Sequence, residues 1–258
     1  MGTAIYIMSC DKNIDILNHS ILSFEKYMKN VNLKWYIGVN SDNNTFDDKY
    51  LKLFSNKSNW REESLNQINQ IRNENNGITH LIVILDDFIL KNNLNVEILY
   101  SLLQDEKIKD INYLRLKRIE ESILKNIFIN FLPKVLIGKS KIFKIRKTHP
   151  YYYSLQIAIW NIDYLYDSIL NSQDIWHFEN QQPTSIDHWS VTNNIFEYKH
   201  VVEKGKWEHY AKTYCWKYIN YFQPGARQII NNNFKNRTHT LLKKIKFLLI
   251  GYVKLTNK

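Results

Sequence analysis

The apolar positions change period as the chain advances. "TAIYIMS" (Thr3 to Ser9) is a short apolar run that reads as a strand, and the following "IDILNHSILSFEKYMKN" places Leu17, Ile21, Phe24 and Met28 on one helical stripe. "KWYIGVN" (Lys34 to Asn40) returns to strand character, a polar loop "SDNNTFDD" follows, and a helix from about Trp60 repeats Leu65, Ile68 and Ile71, with Asn59 and Glu62 as its capping box. "HLIVILDD" is apolar on both faces until it ends on Asp86 and Asp87. Strand, helix, strand, helix and a doubly buried strand predict a mainly parallel α/β sheet covered by helices.

Beyond Asp87 the pattern gives a helix "NVEILYSLLQD" and a strand "INYLRLKR", then loses regularity. "KVLIGKSKIFKIRK" suits two short strands, "NIDYLYDSIL" a helix, and "IFEYKHVVEKGKW" two strands around a turn at Gly205. We read residues 1–237 as one domain, 1–118 forming a nucleotide-binding half and 119–237 an irregular, aromatic-rich acceptor half. In "THTLLKKIKFLLIGYVKLTNK" the apolar residues Leu241, Ile245, Leu248 and Leu249 fall in one arc and Lys243, Lys244 and Lys246 opposite. Residues 238–258 therefore form a basic amphipathic helix, which suits an anionic membrane surface or docking on the protein's own core.

Ligands of open α/β sheets bind beyond the carboxyl ends of the strands. That rule places Asp86 and Asp87 at a ligand rim together with Ser9, Cys10 and Asp11 from the first strand and Asn40 from the second. Paired carboxylates there can hold Mg²⁺ or Mn²⁺, which neutralises charge on a departing diphosphate; the plainer alternative is a turn cap and a solvated side chain. Asp11 equally suits a helix N-cap.

Composition narrows the partners. Lys and Arg number 35 against 25 Asp and Glu, net +10, which draws the chain to polyanions. The aromatics are not interleaved with basic residues as a nucleic-acid stacking platform requires, so no nucleic-acid partner is expected. Two distant cysteines, Cys10 and Cys215, argue against a disulfide scaffold or zinc site and suit a cytoplasmic setting. No export signal is expected ahead of the first strand, and "FLLIGYV" is far shorter than the roughly 20 residues of a spanning helix.

In order, "YIMSCDKNIDIL", "NWREESLNQI", "VILDDF", "YSLQIAIW", "DIWHFE" and "VVEKGKW" resemble the pattern of bacterial glycosyltransferase-like proteins from surface-polysaccharide (O-antigen and capsule) gene clusters, over residues 5–207. The resemblance implies a GT-A fold with a nucleotide-sugar over the strand ends, and sugar transfer to a lipid-linked glycan at the inner membrane face. It matches Asp86 and Asp87 to the metal and diphosphate motif, although these are adjacent where the commoner form separates them by one residue. Ser9, Cys10 and Asp11 match the nucleotide-contacting strand end, and Trp60 packs near the nucleotide or serves as a core residue.

On the acceptor side, Tyr153, Gln156, Trp160 and Trp176 have the aromatic and amide chemistry that binds sugars; the aromatics also suit a core. Glu179, after "IWHF", is the candidate general base, with a carboxylate paired to Lys or Arg as the alternative and Asp187 next in line. His188 and His209 are possible metal or diphosphate contacts, and Lys204, Lys206 and Trp207 could close a basic turn over the diphosphate. Two rival functions remain: a metal-dependent nucleotidyl- or phosphotransferase, for which no Gly-rich phosphate loop is present at the first turn, and a non-catalytic RNA- or anion-binding protein.

Overall fold

The computed structural model describes residues 2–41, 46–57, 59–119, 132–149 and 152–230. The expected basic helix at 238–258 lies outside the described residues. Four parallel strands, β1 (Gly2–Met8), β2 (Lys34–Val39), β3 (Tyr50–Phe54) and β4 (Ile78–Leu85), form one half of a nine-stranded sheet. β3 was not expected from the sequence: its five residues "YLKLF" are a short apolar run between two polar stretches.

The sheet continues through β6 (Tyr113–Arg115), β7 (Lys134–Ile137), β8 (Ser140–Lys144), β9 (Ala158–Asn161) and β10 (Trp189–Val191) in the order β3-β2-β1-β4-β9-β6-β10-β8-β7. β9 runs antiparallel to both its neighbours, β4 and β6, and β8 antiparallel to β10 and β7. The result is a mixed α/β domain with a large, mostly parallel central sheet flanked by helices.

Strand alternation builds two cores. Ile5, Ile7, Ile82 and Ile84 face α1 (Ile14–Tyr27), whose Leu17, Ile21 and Phe24 carry the expected stripe. Tyr6, Leu81 and Val83 face α2 (Trp60–Glu74), with Ile68 and Ile71 beneath it. Asn59 caps α2 as expected, its side chain accepting from the Glu62 amide at 2.9 Å. α3 (Val96–Gln104) and α4 (Ile162–Leu170) cover the same two faces further along, and α5 (Ile175–Glu179) is a single short turn.

A third cluster gathers around Trp207. There β5 (Phe88–Leu90) pairs antiparallel with β11 (Tyr198–His200), and α6 (Ala211–Ile219) packs with them. β12 (Val202–Glu203) and β13 (Lys206–Trp207) form the expected hairpin, whose turn residues Lys204 and Gly205 both have positive φ, 49° and 74°. Trp207 is fully buried and donates from Nε1 to the Pro224 carbonyl at 2.8 Å, so it is core and does not face a diphosphate.

His188 is also core. It is fully buried, stacks on Tyr152, and shares its ring nitrogens with the Tyr152 carbonyl and the Tyr164 hydroxyl. That removes it as a metal or diphosphate contact. Burial pulls its pKa down from 6.5 to about 4. The unfolded chain therefore takes up the proton first, so stability from neutral His188 is full above pH ~6.5 and lost as pH falls toward 4. Replacing it with unprotonatable Gln should lower the melting temperature at pH 7 by more than at pH 5. An equal loss at both would contradict this.

The β7–β8 turn supplies a second test. Gly138 has φ +52°, and a Cβ there would meet the Ser101 carbonyl oxygen at 2.2 Å. Gly138→Ala should cost about 2 kcal/mol or more by denaturant titration, from left-handed strain and a backbone clash that α3 cannot relieve.

Candidate functional site

Strand order reverses between β1 and β4: β2 and β3 lie on one side, β9 and β6 on the other. At that reversal the ends of β1 and β4 touch, with Ser9 Oγ donating to Asp86 Oδ2 at 2.7 Å. Asp86 is 7% exposed, and its backbone carbonyl accepts from the Ser20 hydroxyl on α1. Burial and the neighbouring Asp87 push its carboxyl up to about 7, against hydrogen bonds from Ser9 and Asn13 and the charge of Arg227. Cys10, half-buried beside it, has its thiol pushed up to about 11 by burial and by Asp86, so it rests as a thiol.

Asp11 does not cap a helix. Its carboxylate accepts from the Asn40 amide nitrogen at 2.8 Å while its own amide donates to Asn40 Oδ1 at 3.0 Å, a reciprocal clamp between the ends of β1 and β2. Asn40 extends the clamp through Nδ2 to the Ser55 carbonyl at 3.0 Å and Glu63 at 2.6 Å. Its side-chain amide thus ties three strand ends to α2. Trp60, one turn before Glu63, packs edge-on against Phe178 with ring centroids 5.7 Å apart.

Asp87 faces a different set of partners. Its Oδ2 lies 3.2 Å from His200 Nδ1, because β5 begins at the next residue and pairs Phe88 with His200. His200 Nε2 meets Gln156 Nε2 at 3.0 Å, Gln156 Oε1 accepts from the Tyr198 hydroxyl at 2.5 Å, and that hydroxyl accepts from the Ile157 amide at 3.2 Å. The chain has one consistent sense. Gln156 must donate to His200 Nε2, which leaves the proton on Nδ1, pointing at Asp87. Asp87 Oδ1 is buried without a hydrogen-bond partner.

Glu179 closes the group. It ends α5, accepts from the Leu155 amide at 3.3 Å, and feels the charges of His200, Arg115 and Asp87. Burial lifts its carboxyl above the ordinary range. Arg115 reaches this edge because β6 ends alongside the start of β9, pairing Arg115 with Ala158. Trp176, one turn before Glu179 on the same short helix, is 64% exposed.

Several sequence expectations are corrected. Tyr153 and Trp160 are 1% and 0% exposed, their rings packed among Tyr164, Phe178 and His188, so neither offers a face to a sugar. Asp187 precedes β10, which runs parallel to β6, and therefore lies at the opposite edge of the sheet, ion-paired to Lys144. It lines a cleft of about 420 Å³ there with Ile111, Asn112, Val135 and Trp189. His209 pairs with Glu208 at 3.4 Å, and Lys206 is exposed on the hairpin. Among the described residues, no three His, Cys, Asp or Glu side chains gather as a metal-binding cluster. Asp87 fits as a ligand through its unpartnered oxygen, whereas Asp86 is engaged with Ser9.

His200, Arg115 and Arg227 were missed. No family model matches this chain, and no curated protein matches it. Among solved structures, the crystal structure of 4-diphosphocytidyl-2C-methyl-D-erythritol synthase is similar with a TM-score of 0.38 and 13% identity, over 69% of this chain and 83% of that one. No described helix is long and apolar enough to cross a membrane.

The two adjacent carboxylates should respond differently to neutralisation. In Asp86→Asn the amide oxygen still accepts from Ser9, and removal of a buried charge outweighs the weakened contact with Asn13, so the protein should melt at or above the wild-type temperature at pH 8. Asp87→Asn, which weakens the partner of His200 Nδ1, should gain nothing. Circular-dichroism melts of both variants test this, and a lower melting point for Asp86→Asn alone would contradict it.

Proposed function

We propose that the chain transfers a sugar from a nucleotide-sugar donor to a hydroxyl of a glycan acceptor, the donor lying across the ends of β1, β2 and β4. The observation that carries the reading is the convergence of Asp87, His200, Gln156 and Glu179, from four separate segments, on the edge where strand order reverses. Ser9 to Asp11 and Asn40 shape the nucleotide side, with Trp60 behind it and Lys206 available to the diphosphate. Gln156 and the exposed face of Trp176 serve the acceptor.

The acceptor oxygen attacks the anomeric carbon, the bond from that carbon to the diphosphate oxygen breaks, and the proton of the hydroxyl passes to Glu179. A partly buried carboxylate with a raised pKa suits that transfer, since it holds a proton more readily than an exposed one. A single displacement inverts the anomeric centre. Asp87, oriented by His200, would hold Mg²⁺ or Mn²⁺ together with oxygens of the diphosphate itself. Such a cation, when bound, neutralises charge on the leaving group. The acceptor in this reading is lipid-linked, and residues 238–258 bring the enzyme to the anionic inner face of the membrane.

Incubating the protein with a panel of nucleotide-sugars and a hydroxyl acceptor, with Mg²⁺ or Mn²⁺, should release nucleoside diphosphate and form a glycoside. Release of pyrophosphate from a nucleoside triphosphate and a sugar phosphate would instead establish nucleotidyl transfer. Glu179→Gln should lower turnover by roughly 10²- to 10⁴-fold, the range of a lost general base, with donor affinity unchanged. Asp87→Asn should abolish turnover in a folded protein. Normal turnover in either variant removes that residue from its role.

A further inference from the structure

The segment after α6 folds back across the start of the chain. The Gln223 amide donates to His19 Nε2 at 3.0 Å, the Trp207 amide donates to the Gln228 carbonyl at 2.9 Å, and the Ile230 amide donates to the Trp207 carbonyl at 2.8 Å. At the centre of this strap is Arg227. Its Nε donates to both oxygens of Asp15 at 3.1 and 2.9 Å, Nη1 to the Gly205 carbonyl at 3.2 Å, and Nη2 to the Lys12 carbonyl and to Asn13 Oδ1, the last at 2.7 Å. One side chain thus joins the β12–β13 turn, the first turn of α1 and the loop leaving β1.

Asn13 occupies the N-cap position of α1, yet its side chain makes no capping bond. An Asn in that position ordinarily satisfies an amide of the first turn. Here the side chain is diverted. Its oxygen accepts from Arg227, and the residue lies near enough to Asp86 to favour the charged form of that carboxyl. Without the guanidinium the Asn13 oxygen loses its donor and the loop leaving β1 loses its tie to α1.

We propose that Arg227 is a positioning residue for the nucleotide-binding edge: by tying the Lys12 carbonyl and Asn13 Oδ1 to Asp15 it holds the Ser9–Asn13 loop in the shape that receives a nucleoside diphosphate. This rests on the donor site proposed above. Arg227 acts through the loop, four of its five N–H groups already donating to the protein.

The test compares wild-type protein with Arg227→Met, Arg227→Lys and Asn13→Asp as full chains. UDP, GDP, ADP and CDP binding is measured by calorimetry, and amide hydrogen exchange is followed at Asp11 and Asn13. Arg227→Met should weaken the tightest nucleotide by tenfold or more and speed exchange at both amides. Arg227→Lys should recover part of each.

Asn13→Asp is the decisive variant. It keeps an acceptor for Arg227 and leaves the Asp15 and Gly205 bonds in place, but adds a second carboxylate near Asp86. It should lose affinity as Arg227→Met does, without that variant's loss of thermal stability. Wild-type affinity in Asn13→Asp, or unchanged exchange in Arg227→Met, overturns the proposal. If the wild type binds none of the four nucleotides, the donor-site reading fails, and exchange alone decides whether Arg227 positions the loop.

Discussion

The parallel pairing of β1 with β4 fixes the positions on which the rest of the site depends. Ile5 lies opposite Ile82 and Met8 opposite Leu85, so the two strands run out together and Ser9 meets Asp86 one residue later. Because both strands are buried on both faces, neither can slip by one residue without turning its apolar side chains to the wrong core. The loop to α1 and the turn to β5 therefore leave the sheet from fixed points. Everything polar at this edge, from the Asp11–Asn40 clamp to the Asp87–His200 contact, is built outward from that register.

Adjacent carboxylates at such an edge divide into two environments. Consecutive residues leaving an extended strand point to opposite sides. Asp86 turns inward to Ser9, where desolvation and its neighbour's charge make ionisation costly, and Asp87 turns toward β11 and keeps an unpartnered oxygen. Their proximity in sequence suggests one two-pronged ligand set. Their geometry makes one of them a strut and the other the group facing His200.

The first half of the fold was legible because its helices and strands are long enough to show a period. The stripe of α1, the Asn59 cap and the double burial of β4 all appear as expected. β5, β6, β10 and β11 have three residues each, too few to show alternation, so the pairing that brings His200 to Asp87 had no sequence signature. Strand direction was equally hidden, which is why Asp187 was grouped with residues at the opposite edge. Tyr153 and Trp160 misled for a chemical reason: a sugar-binding platform and a packed core draw on the same aromatic side chains. Glu179 could be singled out because a carboxylate amid "IWHF" is uncommon, whereas Arg227 lay in an irregular stretch where nothing distinguished it from other basic residues.

The bond between Arg227 and Asp15 spans 212 positions of the chain. A ribosome adds residues from the amino end, so β1, β2 and β4 can pair while the strap is still unmade. The edge they present at that moment lacks both the guanidinium on Asn13 and the His200 contact to Asp87. The geometry of this edge is thus among the last properties the nascent polypeptide acquires, and a product released early would keep much of the sheet yet lack a finished rim.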